Sequence, residues 1–164
     1  MKKANFLMAV IAFIISFHSC KKDDKGSPED ETLYGEVTSA SKNYYQNANT
    51  LAAAGNSPHG SFKLWFNATA KAALDTTGEL PSGSSFPSGS LIVKEVQSGG
   101  ATSLYAVMKK DPASANAGSG WLWAEYNTDG SVVISVTKKG SDGSCVSCHS
   151  GNTNRDLTNT FDLH

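Results

Sequence analysis

The spacing of apolar and polar positions changes period once along the chain. Leu33, Val37, Ala40 and Tyr44 recur at helical spacing and predict a helix over about residues 31–47, weakened by Gly35. A second helical piece is expected over Leu51 to Ala54, closed by Gly55. After Ser57-Pro58-His59-Gly60 the period becomes two. Phe62, Leu64 and Phe66 fall on one face of a strand, with Lys63, Trp65 and Asn67 on the other. Asn67 is placed to cap a short helix through Leu74. A loop rich in Gly, Ser and Pro covers 76–90. Strand patterns then follow closely: Leu91 to Val96, Leu104 to Lys109, Trp121 to Tyr126 and Ser131 to Thr137. Gly99-Gly100 and Asn127-Thr128-Asp129-Gly130 mark turns between them. Strands so close together, without intervening helices, predict an antiparallel meander. The expected fold is mainly β (α+β): a meander with a flanking N-terminal helix and a distinct C-terminal segment.

The N-terminus carries a different pattern. Lys2 and Lys3 precede an apolar stretch from Phe6 to Phe17, too short for a comfortable transmembrane helix. The stretch ends at Ser19-Cys20, which resembles the lipobox of bacterial lipoproteins, although Phe17 and His18 depart from its usual residues. An ordinary secretory signal is the simpler alternative. Residues 1–20 are thus expected to be an export signal, with Cys20 lipidated. Acyl chains there would hold the protein at a membrane surface without spanning it. Residues 21–31 are dense in both charges and predict a solvated tether. Residues 32–164 form the expected folded domain, long enough for one modest core. The formal net charge is −1, which gives no basic footprint for nucleic acid.

Three cysteines are present, and two of them lie in Cys145-Val146-Ser147-Cys148-His149. This C-x-x-C-H arrangement is the attachment pattern of c-type haem. Two thiols add across the two vinyl groups of haem, and two intervening residues let both sulfurs reach one porphyrin edge. The next residue, His149, is then placed to ligate the iron. A structural disulfide needs no adjacent histidine. A redox C-x-x-C usually sits in a βαβ context, which is missing from the pattern around Cys145. A zinc site needs four ligands, so His149 and a remote His59 or His164 would have to complete one. Export agrees with haem attachment, which takes place outside the cytoplasm.

From about His59 to Phe161 the chain resembles the cytochrome P-460 family, which includes the beta-type cytochromes c prime. The resemblance rests on an ordered set of segments: Pro58-His59-Gly60; Trp65-Phe66-Asn67 with Ala70; Phe86 to Glu95; Val107 to Lys110; Gly120 to Tyr126; and Cys145 to His149 followed by Arg155-Asp156 and Phe161. It implies an antiparallel β fold, often homodimeric, with one haem coordination position open. In cytochromes P-460 a lysine is bonded to the porphyrin, and the enzyme oxidises hydroxylamine, passing electrons on to a redox partner. In the beta-type cytochromes c prime that bond is absent, the pocket is apolar and the protein binds nitric oxide.

Several residues bear on that choice. Lys94 shares a strand face with Ile92 and Val96, where a lysine is unexpected, and is the candidate for the haem bond. An apolar wall would lower its pKa and free the amine as a nucleophile. The alternative is a lysine that snorkels to water. Glu95 and Glu125 are candidate proton acceptors. Met108 or His59 would close the open position in a simple electron carrier, although core packing and a turn explain them as well. Trp121 and Trp123 share a face and either flank the porphyrin or fill the core. His164 is terminal and expected to be mobile.

Overall fold

The computed structural model describes residues 26–55, 57–141 and 145–164, apart from the side chains of residues 152 and 153. The expected leader, with Cys20, lies outside the described residues. Among the described residues no helix is long and apolar enough to cross a membrane.

Six antiparallel strands are joined in sequence order: β1 (Asn43–Tyr44), β2 (Phe62–Phe66), β3 (Leu91–Ser98), β4 (Ala101–Lys110), β5 (Trp121–Asn127) and β6 (Val132–Ile134). This is the predicted meander. Its two faces carry separate cores because strand side chains alternate. Phe62, Leu64, Phe66, Ile92, Met108, Trp121 and Trp123 belong to one cluster. Trp65, Leu91, Val93, Val107, Leu122, Ala124 and Tyr126 belong to the other, with Leu33 and Val37 of α1 (Pro28–Ser39) packed among them. Burying each large apolar side chain contributes roughly 1.5–3 kcal/mol.

The helix differs from its predicted span at both ends. It starts at Pro28 because Ser27 caps it: the Ser27 hydroxyl accepts from the Asp30 amide, and the Asp30 carboxylate accepts from the Ser27 amide. Asp30 is fully buried, so the last residues of the expected tether belong to the folded unit. The helix stops at Ser39, and the chain turns into β1 and a 3₁₀ turn over Tyr45–Ala48. Gln46, Asn47 and Ala48 all have positive φ there, which cannot continue a right-handed helix. Leu51 is not helical either; it pairs with Phe62 as an isolated bridge.

Asn67 caps α2 (Ala68–Lys71) through the Ala70 amide, so that prediction holds with a shorter helix. The last predicted strand is cut to three residues, because Ser135 caps a 3₁₀ turn over Val136–Lys138. Two short helices close the chain, α3 (Cys145–His149) and α4 (Thr160–Leu163).

Candidate haem site

The cysteine-histidine motif forms α3, directly against the first sheet face. Cys148 and His149 lie three and four residues after Cys145, so the helix turns all three toward one side. Cys145 and Val146 pack on the Phe62–Trp123 cluster. The two thiols are not joined in a disulfide. Gly140 lets the segment approach the sheet: a Cβ there would lie 2.7 Å from the Trp123 ring.

His149 is firmly held. Its Nδ1 lies 2.6 Å from the Leu157 carbonyl oxygen. A carbonyl only accepts, so Nδ1 carries the proton and Nε2 keeps its lone pair. The ring meets Trp123 edge-on, with centroids 4.9 Å apart. Burial is the main reason that its pKa is lowered, which favours the neutral imidazole that a metal requires.

A row of side chains crosses the sheet beneath this helix. Leu64 pairs with Lys94, Lys94 with Ala106, Ala106 with Glu125, and Glu125 with Ile134. Lys94 and Glu125 are thus two strands apart, about 10 Å between backbones, separated by one small methyl side chain. Two adjoining hollows share His59, Lys94, Glu125, Cys145, His149 and Thr160 as lining. Leu64, Ile92, Ala106 and Met108 supply apolar lining to the first.

Burial lowers the Lys94 pKa to about 8. Its ammonium lies over the Phe62 ring, 4.6 Å from the centroid. Lys94 therefore does not snorkel away from the site. Burial raises the Glu125 pKa. His59 Nε2 lies 3.7 Å from a Glu125 oxygen, and burial, helped by the Lys94 and His149 charges, lowers its pKa to about 4. At neutral pH the contact is therefore between a neutral imidazole and a carboxyl group.

The structure separates the remaining candidates. Glu95 is not at the site: one position from Lys94, it projects through the opposite face. There it accepts from Lys42 Nζ at 2.7 Å, Trp65 Nε1 at 3.1 Å and the Tyr44 hydroxyl. Met108 packs in the apolar cluster and also lines the first hollow. Trp123 reaches His149, whereas Trp121 packs on Phe86 and receives Lys110 over its ring. His164 packs edge-on against Phe62. Among the described residues no group of three or more His, Cys, Asp or Glu is placed to hold a metal ion, which leaves the zinc reading without its ligand set.

A model of the family described as Cytochrome P460 matches residues 39–160. The chain belongs to the cytochrome P460 family. Among curated proteins no relative matches. As a cytochrome P460 it is a haem protein, and the residues present fit that group. The hollow offers an apolar sheet face, an oriented histidine and two nearby thiols. It also contains the Thr158 hydroxyl, buried without a protein hydrogen-bond partner. Such an atom is costly unless a bound group satisfies it. Sequence reasoning missed Thr158 and the Leu157 carbonyl. Only the Arg155-Asp156 segment of the family pattern pointed near them.

Proposed function

We propose that this cytochrome P460 carries covalent haem c and oxidises hydroxylamine or a related small nitrogen compound. In this reading Cys145 and Cys148 form the thioether bonds, each S–H adding across one vinyl group without net oxidation. His149 would ligate the iron. When bound, haem supplies an electron acceptor and an open coordination position for the substrate.

The observation that carries the reading is the convergence of a half-buried lysine and a half-buried carboxyl group on the hollow beside Cys145 and His149. Lys94 has the lowered pKa that a nucleophilic amine needs. Oxidation of an N–H compound releases protons as electrons leave it. Glu125 takes them, because burial raises its basicity. The surrounding apolar residues exclude water. Electrons pass to a second cytochrome. The protein is exported, held at the cell envelope through a lipid on Cys20, and works as a homodimer.

Steady-state oxidation of hydroxylamine by haem-loaded protein, with an artificial electron acceptor, tests the reaction. Turnover is expected, with kcat reduced about 10²-fold or more in Glu125→Gln. A fully loaded protein without turnover refutes it. The apolar lining from Leu64, Ile92, Ala106 and Met108 favours a second reading, reversible binding of nitric oxide. That reading requires five-coordinate ferrous haem with no bond to Lys94.

A further inference from the structure

The geometry points to Asp156 as the positioning residue for His149: its clamped carboxylate fixes a left-handed turn that aims the Leu157 carbonyl at the imidazole. This rests on the reading of His149 as the iron ligand.

Asp156 and Leu157 have φ of +50° and +68°, adjacent non-glycine residues in the left-handed region. Such a pair persists only where its surroundings over-determine it. Here the constraint is visible. Lys110 Nζ donates to both Asp156 oxygens, at 2.7 and 2.9 Å. The Phe86 amide donates to Oδ2 at 2.8 Å, and Trp121 Nε1 to Oδ1 at 3.3 Å. Lys110 and Trp121 are paired residues of β4 and β5, so the clamp is mounted on the sheet itself. The turn it fixes delivers the Leu157 oxygen to within 2.6 Å of His149 Nδ1. Neighbouring Arg155 has another task, binding the 79–80 loop through the Leu80 carbonyl and Glu79.

A histidine that donates firmly from Nδ1 is a more basic ligand through Nε2 and favours the ferric state. Asp156 makes no contact with His149 among the described interactions, so its influence runs through the Leu157 carbonyl. Releasing the clamp frees the left-handed turn to relax and lengthens that hydrogen bond.

The test uses the full-length, haem-loaded protein, measuring the haem midpoint potential and the ferrous iron–histidine stretching vibration. Asp156→Ala is expected to shift the ferric/ferrous equilibrium toward ferrous by about tenfold, which is roughly 59 mV for one electron. The vibration moves to lower frequency. Asp156→Asn shifts both less, because asparagine tolerates the left-handed conformation and keeps an oxygen for the Phe86 amide. Lys110→Met moves both in the same direction and decides the matter if Asp156→Ala does not fold. Asp30→Asn, which loosens the opposite face, leaves both unchanged. Wild-type potential and vibration in Asp156→Ala or, where that variant does not fold, in Lys110→Met overturn the inference. So does an equal shift in Asp30→Asn. His149→Ala separates the two levels: an unaltered haem spectrum there sinks the ligand assignment itself. An altered spectrum there, with unmoved clamp variants, sinks only the role of Asp156.

Discussion

Asp30→Asn changes one atom of a fully buried side chain and is expected to cost about 2–3 kcal/mol. In the native protein Oδ2 accepts from the Ser27 amide, the Ser27 hydroxyl and the Ser135 hydroxyl, at 2.9, 2.7 and 2.6 Å. Oδ1 accepts from the Val136 amide at 2.9 Å and the Tyr126 hydroxyl at 3.3 Å. The hydroxyls can rotate to meet an amide group; the two backbone N–H groups cannot. Whichever way asparagine turns, its NH₂ faces either Ser27 N–H or Val136 N–H. One backbone donor is left unsatisfied, worth about 1–3 kcal/mol, and the remaining bonds lose the assistance of a charge. Urea denaturation at pH 7, followed by far-UV circular dichroism, reads this directly. With m of about 1–3 kcal/mol/M, the midpoint falls by roughly 0.7–3 M at unchanged slope. The pH dependence has a defined sign. Burial pushes the Asp30 pKa up, but hydrogen bonds from Ser135, the Val136 amide and Ser27 outweigh it, and the net shift is below 3.8. Its stabilisation is therefore complete above the ordinary carboxylate value and disappears as the pH falls through the depressed one. Wild type and variant should run parallel from pH 5 to 8 and converge in acid. A loss under 0.5 kcal/mol at pH 7 would refute the argument, as would a gap that widens on acidification.

Lys94→Met in haem-free protein should raise stability by about 3 kcal/mol below pH 8, since it removes a desolvated ammonium. The gain fades between the folded pKa of about 8 and the ordinary 10.5, where the native lysine is already neutral in the folded state. A pH-independent effect in denaturant titrations contradicts this. Gly140→Ala forces a methyl into the Trp123 ring and onto a positive φ, so it should cost about 1–3 kcal/mol and lower haem incorporation, read as haem per polypeptide. Glu95→Ala should destabilise by about 1–3 kcal/mol, because Lys42 and Trp65 lose their acceptor, while the haem absorption spectrum stays unchanged. A changed spectrum would place Glu95 at the site after all.

Strand patterns close together without intervening helices predict the meander, and the alternation of Phe62 to Phe66 encodes which side of the sheet each residue covers. The same alternation excludes Glu95 once Lys94 is assigned to the haem face, a signal present in the sequence itself. Across-sheet pairing was not legible. Only the register brings Lys94 and Glu125 to either side of Ala106. The helical periodicity through Tyr44 misled, because Tyr44 and Tyr45 are apolar by side chain whereas the turn at Gln46–Ala48 is decided by backbone conformation. Asp30 misled for a related reason: a charged residue in a charged stretch looks solvated, and its partners Tyr126, Ser135 and Val136 are about a hundred residues away. The motif Cys145 to His149 was readable because the chemistry fixes its spacing. The Leu157 carbonyl that orients its histidine has no side-chain signature at all.

The most direct test of the haem assignment is peptide mass spectrometry on protein matured in a host that assembles c-type cytochromes. One digest shows whether the peptide holding Cys145 and Cys148 carries haem, and whether the peptide holding Lys94 is bonded to the same group. The account predicts haem on the Cys145–Cys148 peptide. A Lys94 peptide joined to the same haem, a bond that replaces a porphyrin C–H and so consumes a two-electron oxidant such as a peroxide, separates the hydroxylamine reading from nitric-oxide binding. Unmodified Cys145 and Cys148, from a host that loads other c-type cytochromes, would contradict it.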